Sequence, residues 1–249
     1  MERLSRFLAR NGVASRRKSD DFIAAGRVRV NGNVVCDPFY AIDPSRDRIT
    51  IDGSPVQTNL FFFYVVLNKP VGYLSDLADP RGRRLARSLI DLSARLYPVG
   101  RLDYNSEGLM LFTNDGDLAN KISHPRYAVT KEYLVKIEGT LTSDERQRMR
   151  AGLKIDNDVL RVISVTPVKE NPTTVWYRIV VAEGKNRMIR KMCAALHHPV
   201  VRLRRVRIGT IHLGSLKPGQ YRLLTSQEIE QIKSDFKNPH NNNTQMKLV

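Results

Sequence analysis

Residues 98–117 read PVGRLDYNSEGLMLFTNDGD. Pro98-Val99 is a strand-like lead-in, and Leu109 to Phe112 is an apolar strand. Polar turns separate and follow them, first Asp103 to Gly108 and then Asn114-Asp115-Gly116. Asp103 and Glu107 lie in the first turn, Asp115 and Asp117 in the second. By residue type, Asp115 or Asp117 is placed to cap a helix at 118–122, and Asp103 to start its own turn. A catalytic carboxylate would occupy the same kind of turn, and spacing alone does not separate the two readings for Asp103.

Further short strands lie to either side of this stretch. FFFYVVL (61–67) is ended by Asn68-Lys69-Pro70, and similar β-branched and aromatic runs fall at 133–138, 175–182 and 200–208. Helical patterns lie at 117–122, closed by Pro125, at 143–151, closed by Gly152, and at 187–196, closed by Pro199. Thr225-x-x-Glu228 is a capping box that launches a last helix to about residue 236. Strands and helices without regular alternation predict an α+β domain over 61–232.

The chain before it has a different grain. Leu4, Phe7 and Leu8 stand at helical spacing, and Asn11-Gly12 supplies a left-handed stop. Ser15 caps a second helix carrying Phe22 and Ile23 on one face, with Gly26 just past its end. Val28-Arg29-Val30, Asn31-Gly32 and Val34 then form a strong hairpin signal. Residues 1–52 therefore read as a small domain of helix, helix and hairpin. Residues 53–60, rich in turn formers, read as the linker, and the polar stretch 237–249 as a disordered tail. Arg16, Arg17 and Lys18 open the second helix, at the end where its dipole prefers anions. A docked phosphate would relieve that conflict; a solvated basic turn is the other reading.

Across 249 residues, 41 Lys and Arg against 25 Asp and Glu leave a formal charge of +16, which points to an anionic partner. Half of that excess lies in 185–207, where Lys185, Arg187, Arg190, Lys191, Arg202, Arg204, Arg205 and Arg207 meet no acidic residue. Arg202, Arg204 and Arg205 flank Leu203 and Val206 in a strand-like pattern, so one face is expected to pack and the other to contact phosphates. Arg81, Arg83, Arg84 and Arg87 form a second basic loop, and Arg3 and Arg27 add candidate contacts in the first domain. The longest apolar run, Leu60 to Leu67, is far short of the roughly 18 residues that span a bilayer. The opening MERLSRFLARNG has no secretory pattern, so a cytoplasmic protein is expected.

Cys36 and Cys193 fit neither a disulfide framework nor a four-ligand zinc site, and both read as reduced thiols. Cys193 and His197, four apart, supply only two potential metal ligands. No GxxxxGK[ST] loop, GxGxxG after a strand, GxSxG elbow or HExxH is present, so nucleotide hydrolysis, dinucleotide redox chemistry and serine hydrolysis lack their usual equipment.

Two resemblances draw these features together. RLSRFLARNGVASRRKSDDFIAAGRVRVNGNVV resembles an S4-type RNA-binding domain. GRLDYNSEGLMLFTNDGDLANKISHP, followed by KEYLVKIEG and EGKNRMIRKM, resembles the RsuA/RluB family of ribosomal RNA pseudouridine synthases, with all three motifs in the family's order. The resemblance implies an α+β catalytic core around a largely antiparallel sheet, working without cofactor or metal on ribosomal RNA. It further implies that Asp103 is the catalytic aspartate, that Tyr133 lies against the target base, that Arg190 pairs with the aspartate and that Arg101 contributes to the same site. From the residues alone Tyr133 is also a core candidate, since it shares a strand face with Val135 and Ile137. The family often has Gln at Met188 and Thr at Ser106. The stretch from Val200 to Thr225 looks more like the large-subunit branch, with the small subunit as the alternative substrate and RNA binding without chemistry as the rival outside the enzymes. A monomer is expected.

Overall fold

The computed structural model describes residues 1–58, 61–171 and 173–236. Asn59 and Leu60 at the end of the expected linker, and all of 237–249, lie outside the described residues. The chain divides into two compact units, Met1–Phe63 with Asn114–Gly116, and Tyr64–Thr113 with the chain from Asp117.

In the first unit the helix Leu4–Arg10 buries Leu4, Phe7 and Leu8, and the Asn11 amide donates back to the Phe7 carbonyl at 2.8 Å. The helix Arg16–Ala24 is capped by Ser15, whose hydroxyl accepts from the Lys18 N–H at 3.2 Å. Strands Val28–Val30 and Asn33–Val35 pair through Asn31-Gly32, both at positive φ (52° and 87°), as a two-residue hairpin of this hand requires. The structure extends the expected hairpin: Ile49–Ile51 adds to Val28–Val30, and Ser54–Pro55 adds to Ile49–Ile51. The stretch read as a linker from residue 53 thus begins inside a sheet. Phe7, Ile23, Val28, Ile42 and Ile49 close the core beneath.

The second unit is built on a nine-stranded sheet. Its path runs Ser164–Glu170, Thr174–Val181, Lys131–Glu138, Val200–Ile208, Glu107–Thr113, Tyr64–Lys69 and Tyr221–Leu223, with Ile211–His212 and Tyr97–Val99 paired at the side. Every pairing is antiparallel except one: Val200–Ile208 runs parallel to Glu107–Thr113, Arg204 opposite Glu107 and Arg205 opposite Gly108. Only glycine tolerates this approach. Gly108 has φ of 105°, and an added Cβ would lie 2.2 Å from the Arg205 carbonyl oxygen and 2.8 Å from its nitrogen.

Glu107–Thr113 is buried along its length, as is Tyr64–Lys69. Here the sequence reading misplaces a boundary. Asn68-Lys69, taken as a strand end, continues the strand, while Phe61 and Phe62 are exposed outside it. The helices Gly116–Ser123, Ser143–Ala151, Met188–Ala195 and Ser226–Ser234 fall where the patterns predict, the last with the Thr225–Glu228 capping box formed. No helix among the described residues is long and apolar enough to cross a membrane.

Candidate active site

The loop 100–106 leaves the strand Tyr97–Val99 and enters Glu107–Thr113, and side chains from beneath hold it at both ends. Ser75 Oγ donates to the Leu102 carbonyl at 2.7 Å and accepts from its N–H at 3.0 Å. The wholly buried Lys69 Nζ donates to the carbonyls of Pro70 (3.2 Å), Asp103 (3.1 Å) and Ser106 (2.8 Å). Burial pushes this ammonium down to about 8; Asp103 and Glu107 oppose the shift and Arg205 adds to it. The sequence reading misses Lys69 because it takes Asn68-Lys69-Pro70 as a strand end.

Asp103 meets Arg190 across the loop, with Arg190 Nε 4.0 Å from Asp103 Oδ2. The guanidinium is fixed from behind: Nη2 donates to the Asn105 carbonyl at 2.9 Å and Nη1 to the Val200 carbonyl at 3.2 Å. Nε has no hydrogen-bond partner and is buried. Desolvation lowers the Arg190 pKa, and neighbouring Arg187 adds to the effect. The helix Met188–Ala195 carries Arg190 to this point.

A cleft of about 310 Å³ opens beside the pair, lined by Asp103, Lys131, Tyr133, Met188, Leu203 and Arg205 among others. Tyr133 is 8% exposed and lies along this cleft. A β-bulge at Val206 shapes the neighbouring strand: Tyr133 pairs with Arg205, but Glu132 pairs with Arg207. The extra residue sends Arg205 to the Tyr133 face and Arg207 to the Glu132 face, although the two are only two apart. Arg205 is therefore buried, donating from Nε to the Leu109 carbonyl at 2.8 Å, and is not the exposed phosphate contact expected from its spacing.

The remaining site candidates distribute unevenly. Arg101 lines the cleft rim, but its guanidinium is mostly exposed and lies 3.5 Å from Asp76, while its carbonyl faces Arg205 Nη1 at 3.5 Å. In the basic stretch, anions from elsewhere in the chain meet five of the eight cations: Lys185 with Asp158, Arg190 with Asp103, Lys191 with Asp156, Arg202 with Glu107 and Arg207 with Glu132. The excess positive charge of 185–207 is thus offset in part by acids distant in sequence. Exposed Arg187 and half-buried Arg204 have no such partner among the described residues.

Arg83 is held by Asp79, which it draws down to about 2, and Arg87 donates to the carbonyls of Ile90, Leu92 and Ala94 as an internal clamp. Arg81 and Arg84 remain exposed. In the first unit Arg27 is bound bidentately by Asp52, Arg3 stacks on Phe39 at 4.2 Å, and Lys18 lies 3.7 Å from Asp21. Arg16 and Arg17 stand exposed at the helix start. Among the described residues no three His, Cys, Asp or Glu side chains gather as metal ligands.

Residues 63–195 match the RNA pseudouridylate synthase family, and residues 2–49 match the S4 domain. The chain belongs to the RNA pseudouridylate synthase family. Within the family it is 40% identical to an RNA pseudouridine synthase of Aquifex aeolicus, over 92% of this chain and 93% of that protein. It is 33% identical to ribosomal large subunit pseudouridine synthase B of Bacillus subtilis, over 94% of this chain and 96% of that protein. A crystal structure of a pseudouridylate synthase superposes with a TM-score of 0.65 at 27% identity, covering 93% of this chain and all of the other. The chain is thus an RNA pseudouridine synthase with an S4 RNA-binding unit at its start, as the sequence resemblance implies.

Proposed function

We propose that this synthase isomerises a uridine of large-subunit ribosomal RNA, with Asp103 as its catalytic carboxylate and Tyr133 as the surface on which the target base rests. The reaction breaks N1–C1′, turns the uracil and joins C5 to C1′, with no net redox change and no atom gained or lost. A flipped base must leave its stack, at a cost of a few kcal/mol, and stacking on an aromatic ring returns roughly 1–3 kcal/mol. Asp103 then attacks C6 or C1′, or takes a proton; for each of these it must be ionised. Arg190, fixed by two carbonyls, places a positive charge 4.0 Å from that carboxylate without moving.

The observation that carries the reading is the Asp103–Arg190 pair at a cleft lined by Tyr133. Support for the large subunit comes from the names of the relatives in Bacillus subtilis and Pseudomonas aeruginosa, each a ribosomal large subunit pseudouridine synthase B. The test is tritium release from 5-³H-uridine-labelled large- and small-subunit rRNA transcripts. Release from the large-subunit RNA by wild type, lost in Asp103→Asn with RNA affinity retained, is the expected result. Release from the small-subunit RNA alone overturns the substrate assignment, and release that survives Asp103→Asn overturns the role of Asp103.

A further inference from the structure

Two cations set back from solvent in the cleft are left without an anion, and the Asp103–Arg190 pair does not account for them. Lys131 lies two residues before Tyr133 on the same strand, so both side chains leave the same face of the sheet. Its ammonium is half-buried, lines the cleft and has no carboxylate partner among the described residues. Burial, reinforced by the positive charge of Arg205, pushes it down to about 8. Arg205 is 3% exposed; its Nη1 reaches the Tyr133 hydroxyl at 3.5 Å, and its buried Nη2 has no hydrogen-bond partner.

Of the other cations lining the cleft, three are matched, Arg190 with Asp103, Lys185 with Asp158 and Glu183, and Arg101 with Asp76, while Arg187 is exposed at the rim. Two like charges brought together beside an aromatic ring, each desolvated and neither given a carboxylate, form an arrangement that costs stability in the free protein. It becomes favourable when negative charge arrives.

We propose that Lys131 and Arg205 stabilise the negative charge that develops on the uracil ring as it detaches from the ribose, which makes both of them catalytic residues. This rests on the isomerase reading and on Tyr133 as the resting surface of the base. The N1–C1′ bond breaks with its electron pair retained by the ring and spread over N1, O2 and O4. An Asp103 carboxylate oxygen takes the vacated position on C1′, or that carboxylate removes the C2′ proton. C5 then bonds to C1′ as the carboxylate or that proton is returned, and the proton shed at C5 is balanced by one gained at N1. The ring bears a full charge only between the two bonds. Cations fixed where that charge resides therefore act on the barrier more than on substrate binding, and their burial strengthens them. Of the charged groups lining the cleft, Arg101, Asp103, Glu183, Lys185 and Arg187 either have partners or lie at its exposed rim, which leaves Lys131 and Arg205 for the ring.

A phosphate of the target strand is the competing ligand for the same two groups, and rate and affinity separate the two. The experiment measures single-turnover tritium release at saturating large-subunit rRNA transcript, RNA Kd against salt, and thermal midpoint for wild type, Lys131→Met, Lys131→Gln and Lys131→Arg. Losing one such group is expected to slow the saturated rate on the order of 100-fold in the Met and Gln variants, in line with the loss of one transition-state donor. Kd should stay within about threefold and the salt slope should be unchanged, while Arg recovers most of the rate.

A Kd raised tenfold or more, with the salt slope reduced by about one and the saturated rate intact, overturns the proposal in favour of a phosphate contact. An unchanged rate overturns it, as does an Arg variant no faster than Met whose midpoint falls equally. Absence of release by wild type from either rRNA transcript overturns the substrate assignment on which this proposal rests, and this proposal with it.

Discussion

Gly108→Ala tests how the second unit assembles its site. A Cβ there would lie 2.2 Å from the Arg205 carbonyl oxygen and 3.0 Å from its carbonyl carbon, and both atoms are backbone of a central strand with no side chain to swing aside. Relief requires the two parallel strands to part. Overpacking of this kind costs roughly 1–3 kcal/mol, and an alanine held at positive φ adds about 1–3 kcal/mol. At ~2–4 °C per kcal/mol for a domain of this size, the thermal midpoint should fall by about 10 °C.

Gly100→Ala is the internal control. Gly100 also has positive φ, 74°, but nothing lies within 4 Å of an added Cβ, so only the backbone term is expected. Melting followed by circular dichroism compares the two variants with wild type. Because the parting strands carry the Asp103 loop away from Tyr133 and Arg205, the saturated rate should also fall more in Gly108→Ala than its midpoint alone would suggest. A Gly108→Ala midpoint within about 2 °C of the Gly100→Ala value would refute the close backbone approach.

Three further outcomes follow from the same structure. The Lys69 ammonium titrates near 8 in the folded chain against 10.5 as a free side chain, so between those values the unfolded state binds more protons and stability rises with pH. Lys69→Met should take about one proton out of the unfolding linkage near pH 9, read as a shallower rise of the urea midpoint from pH 8 to 10, and coincident slopes would refute the shift. Replacing Arg16 and Arg17 with Gln should weaken rRNA binding and flatten its salt dependence by roughly one to two units of slope, while the saturated single-turnover rate survives. Burial pushes the Cys193 thiol up to about 12 while Cys36 is exposed, so iodoacetamide on native protein should give a single adduct at Cys36 by mass spectrometry, with a second only on unfolding.

Local signals were legible wherever the residue itself dictates the backbone. Asn31-Gly32 turns the hairpin because both positions need positive φ, and Thr225 with Glu228 caps the last helix by reciprocal bonds three residues apart. Asp103, Tyr133 and Arg190 came from motif resemblance rather than from spacing; nothing local distinguishes the Asp103 turn from an ordinary one. What remained hidden is non-local. The bulge at Val206, which turns Arg205 inward, exists only as a register between two strands some seventy residues apart. The acids that offset five of the eight cations in 185–207 come from positions 103, 107, 132, 156 and 158, so a charge tally over the segment overstates its free positive field. Lys69 reads as a strand end because Pro70 follows it, yet its role is to hold carbonyls of residues more than thirty positions further on.

The parallel junction of Arg204 with Glu107 closes a loop of 97 residues (204 − 107), an entropic demand of about 4 kcal/mol before any contact repays it. Asp103 lies before that loop in the chain, Arg190 late within it and Arg205 just after it. A nascent chain that has emerged only as far as residue 181 can hold its aspartate, its tyrosine and two antiparallel strand pairs, yet it has no guanidinium beside the carboxylate and no partner for Gly108. The Asp103–Arg190 pair and the closed central sheet therefore form late in synthesis and together, when the segment around 190–208 inserts between strands already made. Truncation anywhere before that insertion leaves an RNA-binding unit attached to an incomplete sheet with two unpaired edges, a species prone to aggregation.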